Sequence, residues 1–178
     1  MNKNILSLLV FVLIAAAVFI GKKIYMTPNI GDGDAPNFKA ELIDGTPFEL
    51  SDLRGKYVLL DFWGSWCGPC MKQVPDLKAI YGKYHGKQFK NATDFELVSV
   101  AIERNKKSGE NAIKRLGLDW KYHIINETKS LRFFGGEYAE QFNIKEVPTT
   151  FLLDENGQIV GTNLSKTAMM EFLNRQLK

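Results

Sequence analysis

Residues 57–75, YVLLDFWGSWCGPCMKQVP, contain both cysteines of a 178-residue chain. An apolar run from Tyr57 to Trp63, broken only by Asp61, leads into Cys67 and Cys70. Such a run suits a strand buried on both faces in the middle of a sheet. Beyond the cysteines, Met71, Val74, Leu77, Tyr81 and Tyr84 step by three or four, which predicts a helix. A C-x-x-C pair therefore opens a helix directly after a central strand. At that place the free N–H groups and the positive end of the helix dipole favour a thiolate on the first sulfur. Thiol-disulfide exchange needs one attacking thiolate and a second thiol near enough to resolve the mixed disulfide. Cys67 is assigned the first role and Cys70 the second, with Pro69 favouring a compact turn between them.

Two plainer readings carry less. A structural disulfide rarely closes so small a loop, because little chain entropy is removed. A structural zinc wants four ligands, often as two close pairs. Only His85 and His123 remain to join the cysteines, and they lie far apart in sequence. Both are read as ordinary surface or core residues, and no metal or other cofactor is expected. Asp61 stands out instead, since an unpaired carboxylate in a buried strand is costly and should have a raised pKa.

The net charge of +3 belongs to the N-terminus. Residues 1–26 hold Lys3, Lys22 and Lys23 and no acid, so the rest carries 20 basic and 20 acidic residues. No basic stripe speaks for nucleic acid. From Ile5 to Ile20 the only polar residue is Ser7. This run lies between the 7–15 apolar residues usual in a cleaved signal and the roughly 20 of a full span. Val18, Phe19 and Ile20 continue the run past Ala15–Ala17, where a cleavage site would have to fall, so residues 1–26 are read as an uncleaved signal anchor. A cleaved signal with a soluble periplasmic product is the alternative. Residues 27–34, TPNIGDGD, read as a flexible tether, and 35–178 as one domain.

Within that domain, Asn37–Leu42 and Pro47–Leu50 flank Asp44-Gly45 and predict a hairpin. Further strands are expected at Phe95–Ile102, Trp120–Ile125, Val147–Leu153 and Gln158–Val160. Helices are expected at Asn111–Leu116 with Gly117 as its stop, at Glu137–Phe142, and at the C-terminus, where Met169, Phe172, Leu173 and Leu177 share a face. The alternation argues for an α/β sheet covered on both faces.

The block Asp61–Cys70 resembles thioredoxins, and residues 35–177 resemble TlpA/ResA-like thiol-disulfide oxidoreductases anchored in a membrane. The resemblance implies a thioredoxin-like fold with an N-terminal β-hairpin and a central insertion, preceded by a transmembrane helix or signal segment. It implies a first cysteine with a pKa of about 7, as in thioredoxin, against about 8.5 for a free thiol. Asp61 then acts as proton acceptor for Cys70. Pro148 in VPTTF follows a cis peptide, and the backbone at Val147 pairs with substrate like an added strand. Trp66, Gly68, Pro69, Val147 and Pro148 contact the substrate, while Trp63 belongs to the core. Some relatives carry glutamate where this chain has Gln73. The implied partners are disulfide-containing proteins, such as apocytochrome c in cytochrome c maturation, and a membrane electron donor that re-reduces the site. The implied location is a bacterial inner membrane with the domain on the periplasmic or extracytoplasmic side.

Gly-Pro between the cysteines matches the reducing thioredoxin, which favours a reductase over an oxidase or isomerase. A peroxiredoxin would need proline and Thr/Ser where Leu60 and Gly64 stand. A copper chaperone would use C-x-x-x-C, one residue longer than this spacing.

Overall fold

The computed structural model describes the backbone over residues 3–26, 33–130 and 135–178, with side chains in the first segment described from Leu8 to Ile20. Helix α1 spans Lys3–Met26. Its described side chains are all exposed apolar or small ones and cover about 20 Å of helix. Among the described residues no helix is long and apolar enough to cross a membrane. Residues 27–32 of the expected tether lie outside the described residues.

A small hairpin follows, β1 (Lys39–Glu41) paired antiparallel with β2 (Pro47–Glu49). The main sheet has five strands in the order β5-β4-β3-β6-β7. These are β3 (Tyr57–Trp63), β4 (Phe95–Glu103), β5 (Tyr122–Glu127), β6 (Thr149–Leu153) and β7 (Ile159–Thr162). The strands β3, β4 and β5 are parallel, and β6 and β7 join antiparallel. Every residue of β3 and β4 is buried, as befits central strands covered on both faces.

One face packs against α2 (Gly68–Tyr84), α3 (Lys106–Leu116) and α5 (Lys166–Gln176) through Leu59, Trp63, Leu97, Val74, Leu77, Ile113 and Leu173. The other packs against the hairpin and α4 (Glu137–Gln141) through Phe38, Phe48, Phe62, Phe142 and Phe151. The buried stripe of α2 is Cys70, Val74, Leu77, Ile80 and Tyr84, so Ile80 takes the place expected of Tyr81, which is half-buried.

Helix α3 starts five residues before the expected Asn111. Asn105 caps it by accepting from the Ser108 N–H, and its first turn is polar, so it lacks an apolar period. Gly109 sits where any Cβ would lie 2.5 Å from Ile125. The helix stops at Gly117, whose φ of 58° is the left-handed conformation that glycine adopts cheaply.

The segment ahead of β3 ties both rims of the sheet. Ala35 N–H donates to the Gly157 carbonyl and Ile159 N–H to Gly33 at the β7 edge. Leu42 bridges Ile124, and Ile43 N–H donates to the His123 carbonyl, at the β5 edge.

Candidate active site

Strand β3 ends at Trp63, and Gly64, Ser65 and Trp66 turn the chain into α2. The strand direction places this turn, the end of β4 and the end of β5 along one rim of the sheet. Cys67 is the N-cap of α2: its Sγ accepts the Cys70 N–H at 3.1 Å. Pro69 falls in the first helical turn, where its missing N–H costs nothing. Cys67 and Cys70 form a disulfide with Cα atoms 5.3 Å apart. Both cysteines are buried, whereas Trp66, Gly68 and Pro69 are exposed around them.

The loop before β6 comes up beside this pair. The Val147–Pro148 peptide is cis, and the Val147 carbonyl lies 3.6 Å from Cys67 Sγ. Thr149 Oγ1 donates to the Glu146 carbonyl, and the Thr150 N–H donates to Asn163 Oδ1. These bonds fix the loop from both ends and leave Val147 and Pro148 half-buried next to Cys67.

Asp61 sits on the α2 side of β3, two residues from Leu59 and from Trp63, which share one cluster with Cys67 and Cys70. It is 3% exposed, and Oδ1 makes no hydrogen bond among the described residues. Burial alone pushes its pKa up from 3.8 to about 7. A carboxyl poised there can take a proton from a thiol and give it back. Trp63 is buried and Trp66 exposed, the first in the core and the second at the site. Gln73 is half-buried on α2, and its Oε1 also lacks a hydrogen bond.

The anchoring of the Gly64–Trp66 turn has no signature in the sequence. Glu103, 2% exposed at the end of β4, accepts the Ser65 N–H at 2.5 Å and the Ser65 hydroxyl at 3.0 Å. Trp66 Nε1 donates to the Ile102 carbonyl at 3.0 Å. Glu103 closes an apolar strand and so reads as a polar terminus; only the paired register reveals it opposite the active-site turn. Gly64 makes room for the indole, since a Cβ there would lie 2.6 Å from Trp66 Nε1. Gly64→Ala is therefore expected to push Trp66 off the Ile102 carbonyl, at a cost of about 1 kcal/mol for the lost hydrogen bond. A shift of tryptophan emission to longer wavelength together with a lower urea midpoint is the expected reading.

The histidines fall elsewhere. His85 Nδ1, at the far end of α2, is 3.5 Å from Glu96 and 3.8 Å from Asp94. The Lys56 ammonium lies 2.7 Å from the same Glu96 and takes the place a cation would have. His123 is buried on β5.

Residues 55–159 match the family described as thioredoxin-like (Thioredoxin_8). The chain is 35% identical over 145 residues to the thiol-disulfide oxidoreductase ResA of Bacillus subtilis (strain 168), covering 81% of this chain and 70% of that one. It is 30% identical over 167 residues to ResA of Bacillus anthracis, covering 90% and 88%. A solved thiol-disulfide oxidoreductase from Bacteroides fragilis NCTC 9343 superposes with a TM-score of 0.67 at 27% identity, over 80% of this chain and 98% of that one. With its C-x-x-C disulfide at the mouth of a helix after a central strand, the chain belongs to the thioredoxin-like family as a TlpA/ResA-like protein disulfide oxidoreductase.

Proposed function

We propose that the chain reduces protein disulfides outside the cytoplasm of a bacterial cell. Residues 1–26 hold it in the inner membrane as a signal anchor, 27–34 form a tether, and 35–178 form the catalytic domain. The observation that carries the reading is the setting of Cys67: a helix N-cap sulfur 3.6 Å from the Val147 carbonyl, ringed by exposed Trp66, Gly68 and Pro69.

In the reduced enzyme the Cys67 thiolate attacks one sulfur of the substrate disulfide. The S–S bond of the substrate breaks, one substrate sulfur leaves as thiolate, and the other stays joined to Cys67. Cys70 then gives its proton to Asp61 and attacks Cys67 Sγ. The Cys67–Cys70 bond forms, the mixed disulfide breaks, and the second substrate sulfur departs as thiolate. The substrate has gained two electrons and the enzyme holds the disulfide seen here. A dithiol donor in the membrane returns those electrons. The substrate backbone lies along Val147 and Pro148 as an added strand while Trp66, Gly68 and Pro69 contact its side chains. The name thiol-disulfide oxidoreductase borne by the Bacillus relatives supports the chemistry, and the apolar, exposed side chains of α1 support the anchor. Apocytochrome c, whose haem-binding cysteines must be reduced before attachment, is the proposed client.

Cys70→Ser should trap that client. The variant attacks through Cys67 and cannot resolve, so a covalent adduct sensitive to dithiothreitol accumulates on nonreducing gels. No adduct in cells that make apocytochrome c would remove the client from the proposal. An alkaline phosphatase fusion after Lys178 tests the side of the membrane, and an inactive fusion would put the domain in the cytoplasm.

A further inference from the structure

The chain enters the catalytic domain at the end of the sheet opposite Cys67. Strand β3 runs from Tyr57 to Trp63 and delivers the cysteines at its C-terminal rim. Antiparallel β6 sets Thr149 against Phe62 at that rim and Leu153 against Val58 at the other. Leu153 pairs in turn with Ile159, so the turn 154–158 belongs to the Tyr57 rim. The first described residues of the domain are fastened there. The Ile159 N–H donates to the Gly33 carbonyl and the Ala35 N–H to the Gly157 carbonyl, both at 3.0 Å, and Asp34 bridges Gln158. Beside them the Gly55 N–H donates to the Glu155 carbonyl at 2.7 Å, and Arg54 Nη1 donates to the Asn156 carbonyl. Ala35 is buried. Gly33 is therefore a fixed point of the domain.

Two lengths decide what that fixed point allows. From Val58, level with Ile159, to Trp63 is five strand steps, about 17 Å. The Gly64–Trp66 turn carries Cys67 beyond Trp63, so about 20 Å separates Gly33 from the active-site face. From Met26, the last residue of α1, to Gly33 is seven Cα steps. Fully drawn out, seven steps reach about 25 Å; a relaxed chain of that length spans about 15 Å.

We propose that the domain stands on the membrane by its Tyr57 rim, with Cys67 turned away from the lipid, and that the dithiol that re-reduces it meets it in the aqueous phase, about 20 Å above the end of the anchor. This rests on residues 1–26 as that anchor. Turning the active-site face onto the lipid would lift Gly33 by about 20 Å and draw the seven steps nearly straight. The upright domain leaves them relaxed. The electron donor that fits is one whose dithiol stands on a segment projecting from the membrane, not one held at the level of the lipid headgroups. The client reaches Cys67 from the same aqueous side, past exposed Trp66, Gly68 and Pro69. The exchange with the donor is balanced as before. Its two thiols join as a disulfide, the Cys67–Cys70 bond breaks, and two electrons and two protons end on the two cysteines.

The test places the full oxidised chain in phosphatidylcholine vesicles that carry a lipid with dihydrolipoic acid on its headgroup. A second version has about ten Gly and Ser residues inserted between Ile30 and Gly31, outside the folded domain. Reduction of Cys67–Cys70 is read by gel shift with a maleimide polymer after acid quench. The lipid-borne dithiol is expected to reduce the natural chain about tenfold or more slowly than the lengthened one, since a linker that barely spans the gap gives little effective concentration. Dihydrolipoic acid free in solution should reduce both at one rate. Equal rates with the lipid-borne dithiol would overturn the proposal. Flotation of the vesicles separates it from the reading beneath it. A chain that does not float removes the anchor and the orientation together; a chain that floats and shows equal rates removes the orientation alone. Distance gives a second measurement. Lys107→Cys at the active-site rim and Asn156→Cys at the Tyr57 rim, each with Cys67 and Cys70 replaced by serine, carry a dye at exposed positions. Energy transfer to an acceptor lipid should be stronger from position 156. Transfer as strong or stronger from position 107 would overturn the orientation.

Discussion

Cys67→Ser is expected to lower the reduction of a protein disulfide by on the order of 10³-fold or more, to the level of buffer alone. A hydroxyl cannot take the place of sulfur in thiol-disulfide exchange, and Cys70 cannot compensate. Both sulfurs are buried, but Cys70 lies within the first turn of α2 while Cys67 holds the N-cap position at its mouth. The helix N-terminus stabilises a thiolate on Cys70 less than one on Cys67, because the Cys70 N–H is itself the donor to Cys67 Sγ. Insulin reduction followed by turbidity measures the rate. A Cys67→Ser protein that kept a tenth of the activity would move the attacking sulfur to Cys70.

Asp61→Asn is expected to divide activity from stability. Resolution should slow by about 10²-fold, the usual size of a lost acid-base group. Stability should move the other way, and only above mildly acidic pH. The Asp61 carboxyl has a pKa of about 7 in the fold against 3.8 unperturbed. Between those values the folded protein holds a proton that the unfolded chain has lost, so the wild type loses stability as pH rises from 4 to 7. Above pH 7 the loss is complete and amounts to roughly 4 kcal/mol. Asparagine carries no such charge. The variant should match the wild type at pH 4 and exceed it at pH 8, as read by urea denaturation at both. A variant less stable than the wild type at pH 8 would show that the carboxylate has a partner that the buried site does not reveal.

The residues that decide the fold were legible because they obey local rules. A continuous apolar strand, a C-x-x-C at a helix start and the Asp44-Gly45 turn each announce an element without help from the rest of the chain. The start of α3 did not, because Lys106 to Glu110 show no apolar period and Gly109 looks like a break; that glycine is there to let Ile125 approach. Glu103 was illegible for another reason. A glutamate at a strand end acquires meaning only when the register sets it against Ser65. His123 read as an ordinary surface or core residue, and it is buried on β5 against the Trp120 ring. The expected strand at Val147 begins two residues later, at Thr149, because residues 147–148 form the loop beside Cys67.

The segment that ties Gly33 and Ala35 to one rim of the sheet and Leu42 and Ile43 to the other governs how such a domain tolerates crowding. An uncovered rim strand is a template for pairing with a neighbouring molecule, the first step of aggregation. Here a single stretch of chain blunts both rims, and the same stretch is where the domain joins whatever precedes it. A domain trimmed to begin at Lys39 would lose the cover over β7 while keeping every catalytic group. Its weakness would appear as self-association at high concentration and not as lost chemistry.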